Sequence, residues 1–348
     1  MSHMKEIAKV IKLGILDYAQ INEGQSPEDA IQETIQLAVL AEQLGFERFW
    51  VAEHHNVPAF ASSSPEILMM ALLSQTKQIR IGSGGVMLPH YAPLKVAENF
   101  KLMSTIYPGR VDFGFGNSPG TTFVQRAMGS KSKQQFDYLG SVKQIQSYLQ
   151  NEADNHQVYA NPLISHLPQM CALSSSIQSA KMAAELGIGY TFGIFPFAST
   201  DKLEVGKRAC QYYRDHFQPS AYLDKPYVSV APFVCIAEHE ELAKDYLKAL
   251  DVWLLGKKNF SEFDTFPSVL TANNYNYTGN DRENIAHNRT RIIAGDAASV
   301  KDQLGQVVFE LGAQEALLIP LMPTFQAKSQ ALTLLSESFH LASYENRD

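Results

Sequence analysis

The sequence predicts an α/β protein, a closed (β/α)8 or TIM barrel carrying a late insertion. Three observations predict it. Eight short runs of apolar, β-branched or aromatic residues alternate with longer stretches of helical period, as a parallel sheet requires. No Gly-rich dinucleotide turn follows the first run, which disfavours an open doubly wound sheet. The length, 348 residues, suits one barrel with insertions, so residues 1–348 read as a single domain.

Lys12 to Leu16 is the first strand. Ser26-Pro27-Glu28-Asp29 then opens a helix with an N-cap, a first-turn proline and early acids, and Gly45 closes it. Arg48 to Ala52 is strand two, Pro65 to Thr76 a helix, and Ile79 to Gly82 strand three. Pro93 to Ile106 is a helix closed by Pro108-Gly109, and Arg110 to Phe115 is strand four. The second half repeats the plan, with a helix within Lys133 to Leu149 and strand five at Gln169 to Leu173. A helix over Ile177 to Leu186 stops at Gly187, and Tyr190 to Gly193 is strand six. Thr200 to Phe217 is helical, Tyr227 to Ile236 is strand seven, interrupted by Pro232, and Glu240 to Leu254 is helical. A helix at Ala297 to Leu311, strand eight at Ala316 to Leu321, and a last helix toward Leu341 complete the pattern. Phe260 to Asn288 breaks it, being rich in Asn, Tyr, Ser and Thr and without a period. This insertion, about residues 255–290, is either a cover over a site or a plain surface excursion.

Composition narrows the class of function. Hydrophobic residues make up 45% of the chain, enough for one large core. The formal net charge is -7 and the basic residues are scattered, which argues against an extended nucleic-acid or membrane surface. No apolar run approaches the ~20 residues that span a bilayer. The opening Met1-Ser2-His3-Met4 leads into a polar start without a leader pattern, and its first residues read as an added remnant. Cys171, Cys210 and Cys235 lie far apart without metal-pair spacing, and read as reduced buried thiols of a cytoplasmic protein.

Barrel chemistry sits on the loops that leave the C-terminal strand ends. After strand two comes Glu53-His54-His55, and strand alternation puts His54 on the face of Trp50 and Ala52, with Glu53 on the other. A carboxylate beside two imidazoles suits acid–base chemistry, a metal or a hydrogen-bonded loop. No second cluster of matching ligands accompanies it, which favours a functional histidine over a metal. After strand three, Gly82, Gly84 and Gly85 clear side-chain bulk ahead of Val86-Met87-Leu88, a surface on which a planar ring can lie. The segment at the end of strand four, Phe113 to Gly120, is again small and flexible. Strand five ends in Ser174-Ser175-Ser176 at a helix start, where free N–H groups, the helix dipole and the hydroxyls of Ser176 and Ser179 offer an anion site. Ser176 alone would serve as a cap. Taken together, the loops make a pocket for a phosphorylated planar cofactor.

Three segments, in this order and spacing, resemble the bacterial luciferase family of flavin-dependent monooxygenases over nearly the whole chain. They are Phe49-Trp50-Val51-Ala52-Glu53-His54-His55-Asn56, Gly82-Ser83-Gly84-Gly85-Val86-Met87-Leu88-Pro89 and Tyr107-Pro108-Gly109-Arg110-Val111-Asp112-Phe113-Gly114. The resemblance implies FMN at the C-terminal mouth, delivered reduced by a separate flavin reductase, with dioxygen and a small organic substrate. It makes His54 the active-site histidine, with Glu53 setting its tautomer, and Gly84-Gly85 the place of a non-prolyl cis peptide beneath the flavin ring. Ser176 and Ser179, with Ser174 and Ser175 in the same turn, become the phosphate positions. A homodimer formed through early barrel helices is also implied. One departure stands out: family members commonly place a phosphate-reaching arginine where this chain has Asn117. Such a contact is worth ~1.5–3 kcal/mol, and Arg126 and Arg291 are the residues to replace it. Two alternatives accompany the flavin monooxygenase, namely a deazaflavin-dependent hydride-transfer enzyme of the same barrel family and a non-catalytic flavin-binding protein. A metal hydrolase built on Glu-His-His is a more distant one.

Overall fold

A computed structural model of the chain describes residues 11–344, apart from 131, 133, 154–156, 197–201 and 257–262. The opening Met1-Ser2-His3-Met4, the helix starts expected at Lys133 and Thr200, and the first residues of the insertion at Phe260 lie outside the described residues. The strands are β1 (Lys12–Asp17), β2 (Arg48–Val51), β3 (Arg80–Ser83), β4 (Val86–Met87), β5 (Val111–Gly116), β6 (Gln169–Ser174), β7 (Gly189–Ile194), β8 (Val228–Ile236), β9 (Ile292–Gly295) and β10 (Glu315–Leu318). Eight of them close a parallel barrel in the order β1-β2-β3-β5-β6-β7-β8-β10, because β10 pairs with both β8 and β1. The expected (β/α)8 barrel is the fold.

Two strands are additions. β4 pairs with the end of β5, and β9 pairs with Phe233–Ile236 in the outer part of β8. Pro232, which has no N–H to give to a ladder, falls where β8 ends its pairing with β7 and begins its pairing with β9. It therefore marks a change of partner within one continuous strand. β10 ends at Leu318, short of the expected Leu321.

The helices around the barrel are α1 (Pro27–Gln43), α2 (Pro65–Gln75), α3 (Pro93–Ile106), α4 (Thr122–Met128), α5 (Tyr138–Leu149), α6 (Ile177–Leu186), α7 (Lys202–His216), α8 (Glu240–Trp253), α9 (Val269–Asn273), α10 (Gly279–Arg289), α11 (Ala297–Leu311) and α12 (Phe325–Phe339). Ser26 and Asp29 form the capping box at the start of α1, as their spacing predicts. The described part of the insertion departs from expectation, since it contains α9 and α10. Thr278 and Asp281 form a second capping box there, and Ser268 caps α9.

Inside the barrel the N-terminal layer is ionic. Arg48 Nε donates to Glu315 Oε1 at 2.7 Å and its Nη1 to Asp112 Oδ2, while Arg80 Nε reaches Asp112 Oδ1 at 2.8 Å. Trp50, fully buried above them, donates from Nε1 to Asp112 Oδ2 at 2.9 Å. A methyl group added at Gly82 or Gly114 would strike the Trp50 indole, so these glycines make its space. Burial pushes the Asp112 carboxyl up, but Arg48 and Arg80 hold it below its ordinary value. Removing one member of such a buried set strands the others without partners. Arg48→Met should therefore lower the unfolding free energy in urea by about 3–5 kcal/mol, and unchanged stability would contradict this account of the barrel floor.

Candidate active site

The loops at the C-terminal strand ends surround a cavity of about 500 Å³, a volume ordinary for cofactor sites. Glu53, His54 and His55 from the loop after β2 line it, with Gly84, Gly85 and Met87 from the turn after β3. Ser175 after β6 joins them, together with Tyr18, Phe195 and Phe233. The histidine loop, the glycine turn and the serine turn thus meet at one rim. The peptide joining Gly84 to Gly85 is cis. A Cβ at Gly84 would come within 2.5 Å of the Leu16 side chain, and one at Gly85 within 2.8 Å of the Phe115 backbone. Packing against β1 and β5 therefore requires glycine at both positions, and this keeps the wall flat.

Glu53 is the most constrained polar side chain at the rim. Its buried carboxylate accepts from Met87 N–H at 2.8 Å and from Tyr91 OH at 2.7 Å, and pairs with His55 Nε2 at 2.7 Å. Its imidazole partner is thus His55, which corrects the expectation that Glu53 sets the tautomer of His54. Alternation carries the two side chains to opposite sides of the strand end, and His55 turns back toward the carboxylate. The His54 ring lies instead between Tyr18 and Phe60, with centroids at 4.7 and 4.9 Å. Burial in this aromatic clamp, with His55 nearby, pushes the His54 pKa down to about 4. His54 is consequently a neutral imidazole near pH 7.

Ser176 caps α6, its Oγ accepting from Ser179 N–H at 3.3 Å. Ser174 Oγ and Ser176 Oγ are 3.1 Å apart, and Ser176 Oγ donates to Ser179 Oγ at 3.1 Å. Of the four serines only Ser175 lines the cavity itself; the others build the turn behind it. Asn117 is half-buried between Gly116 and Ser118, both of which line the cavity, but does not itself line it. Neither candidate replacement for the arginine lines it either. Arg126 is exposed on α4, and Arg291 is engaged by His287 Nε2 at 2.9 Å. Among the described residues, no group of three or more His, Cys, Asp or Glu side chains is placed to hold a metal.

The chain matches the model of the luciferase-like monooxygenase family over residues 11–315. It belongs to that family. It is 37% identical over 336 residues to the uncharacterised protein YwcH of Bacillus subtilis (strain 168), covering 95% of this chain and 99% of that one. It is also 34% identical to the N-acetyl-S-alkylcysteine monooxygenase of the same organism, over 85% of this chain and 88% of that one. Among solved structures, apo-MsnO8 aligns with a TM-score of 0.84 at 28% identity, covering 96% and 99% of the two chains. Two more distant structures share the fold. The oxygenating constituent of 3,6-diketocamphane monooxygenase from Pseudomonas putida, in complex with FMN, has a TM-score of 0.68 at 17% identity over 94% and 98% of the chains. An F420-dependent secondary alcohol dehydrogenase has a TM-score of 0.64 at 15% identity over 94% and 99%. As a luciferase-like monooxygenase, the chain belongs among oxidoreductases.

In this family member several site residues carry no linear signal. Tyr18, Phe195 and Phe233 look like core residues in sequence, and Tyr91 lies 38 residues from the carboxylate it binds. The insertion does not line the cavity with any described residue. It backs the wall instead, through Phe266 on Trp253 at 5.8 Å, Trp253 on Phe60 at 5.1 Å, and Phe60 on His54. Cys171, Cys210 and Cys235 are free and buried.

The His54 clamp has a pH signature. Between the ordinary histidine value of 6.5 and about 4, the unfolded chain binds a proton that folded His54 refuses. The unfolding free energy therefore falls as pH drops through that window, by at most about 3 kcal/mol from this group. His54→Phe should flatten the decline between pH 7 and 4.5 in denaturant titrations. Identical pH slopes in the two proteins would contradict a neutral, clamped His54.

Proposed function

We propose that the chain, acting as one domain over residues 1–348, is an FMN-dependent monooxygenase using reduced FMN and dioxygen on a small organic substrate. The observation that carries this reading is the flat Gly84-Gly85 wall lining the same cavity as His54 and the serine turn. That combination suits a planar ring with a phosphate tail. Glu53 and His54 are the proposed catalytic pair of positions, Gly84 and Gly85 the ring platform, and Asn117, Ser174, Ser175, Ser176 and Ser179 the phosphate end. Bound in its reduced form, FMN supplies the electrons that activate dioxygen for insertion into the substrate. The protein's share is orientation, dryness and proton handling. The positive end of α6, with Ser175 lining the cavity beside it, attracts the phosphate dianion. Tyr18, Leu173, Phe195 and Phe233 give the cavity apolar sides that exclude water. His54, held neutral, donates or accepts a hydrogen bond without adding charge. His55, oriented by Glu53, is the second imidazole that lines the cavity.

The relative named for N-acetyl-S-alkylcysteine supports a small organic substrate, and the FMN-bound neighbour supports the flavin. The F420-dependent neighbour keeps a deazaflavin hydride-transfer enzyme as the second reading. A separate flavin reductase would deliver the reduced cofactor. Exposed Ile67 on α2 and Leu102 and Ile106 on α3 suit a homodimer through these early helices. Three buried free thiols suit a cytoplasmic protein, and among the described residues no helix is long and apolar enough to cross a membrane.

Anaerobic titration with reduced FMN and with the deazaflavin, followed by oxygen uptake with a panel of organic thioethers, tests this reading. FMN should bind and oxygen uptake should follow, with His54→Ala slower by about 10²-fold or more. Absence of reduced-FMN binding, with turnover unchanged in His54→Ala, would overturn it. Preference for the deazaflavin without oxygen uptake would favour hydride transfer, and flavin binding without turnover a non-catalytic role.

A further inference from the structure

The serine turn has a neighbour with no part in the reading so far. Two bonds tie α5 to the C-terminal end of α6, where Lys143 Nζ meets Glu185 Oε1 at 2.8 Å and Gln146 Nε2 donates to the Leu186 carbonyl at 3.2 Å. At the helix starts, Tyr138, the first residue of α5, lies beside Ser179 in the first turn of α6, where the two hydroxyls interact. The Tyr138 ring packs on Phe115 and Phe136, both at 6.2 Å, and its hydroxyl is sealed from solvent, with the Ser179 hydroxyl beside it but no well-formed hydrogen bond among the described residues. Such an orphan is rare in a native interior and calls for an explanation. Burial, with Cys171 nearby and against a smaller opposing pull from the Ser179 hydroxyl, drives the phenol well above its ordinary range, so it stays protonated and remains a donor. The other hydroxyls of the turn are already engaged, with Ser174, Ser176 and Ser179 bonded among themselves and Tyr190 OH donating to the Ser176 carbonyl at 3.0 Å.

We propose that Tyr138 is a cofactor-binding residue whose hydroxyl donates to the phosphate held at the serine turn, supplying a donor where residue 117 is asparagine. This rests on the reading of the cavity as the site of a phosphorylated flavin. A phenol offers one hydrogen bond and no charge, so phosphate binding here depends less on ionic strength than an arginine contact would.

Fluorescence titration of the full chain and of Tyr138→Phe with FMN and with riboflavin, which lacks the phosphate, separates the possibilities. The wild type should prefer FMN, and Tyr138→Phe should lose about tenfold toward FMN while riboflavin affinity stays within about twofold. The melting temperature of Tyr138→Phe without ligand should be no lower than that of the wild type, because only an orphan hydroxyl is removed. Equal FMN affinity in both proteins would overturn the role of Tyr138 and leave the flavin reading standing. Equal losses toward both flavins with a lower melting temperature would make Tyr138 a packing residue, which also overturns it. A wild type that binds neither flavin would overturn the flavin reading itself.

Discussion

The site depends on how one buried carboxylate is satisfied. Glu53 is taken out of water at a rim that must stay open for a ligand, and a buried ionic group is tolerated only when its acceptor capacity is used. Met87 N–H, Tyr91 OH and His55 Nε2 use it. Met87 and Tyr91 belong to the segment that follows the glycine turn, so their two bonds fasten the histidine loop to the glycine wall, while the third orients His55 within its own loop. The wall follows in turn, because Met87 belongs to the short β4 that pairs with the end of β5. Loss of this anchor would free the flat wall and the imidazoles to move independently.

Below the rim, the barrel separates stability from function. Arg48, Arg80, Asp112 and Glu315 form the ionic floor, Trp50 fills the middle, and the upper layer is left to Leu173, Phe233 and Tyr18, which face the cavity. The floor needs every partner in place, whereas the upper layer needs space and dryness. Aromatic packing from Phe60 through Trp253 to Phe266 then braces His54 from behind, which gives the insertion a structural purpose at the site. A neutral histidine in an aromatic clamp is the electrostatic consequence of that bracing.

Local periodicity made the barrel legible. The eight barrel strands are short, mostly apolar runs bounded by turn residues, and helices such as α1 and α6 announce themselves through caps at Ser26 and Ser176. The glycine and serine turns could be read because each is a single short segment. What escaped the sequence depends on contacts between distant segments. The pairing of Glu53 with His55 instead of His54 is decided by where β4 and Tyr91 arrive, and β9 is a strand only because the outer half of β8 leaves an edge for it. The Asn- and Tyr-rich composition of the insertion hides α10, although the Thr278 and Asp281 spacing is a capping signal. Tyr138 has no motif at all, and its place beside the serine turn follows from the folding of two helix starts, 41 residues apart from Tyr138 to Ser179, onto one another.

A crystal structure of the chain with FMN bound tests the central claim most directly. The account predicts the isoalloxazine ring resting on the Gly84-Gly85 peptide, with the phosphate at the Ser174–Ser179 turn. A ring on any other wall, or a phosphate held away from the α6 N-terminus, would contradict it.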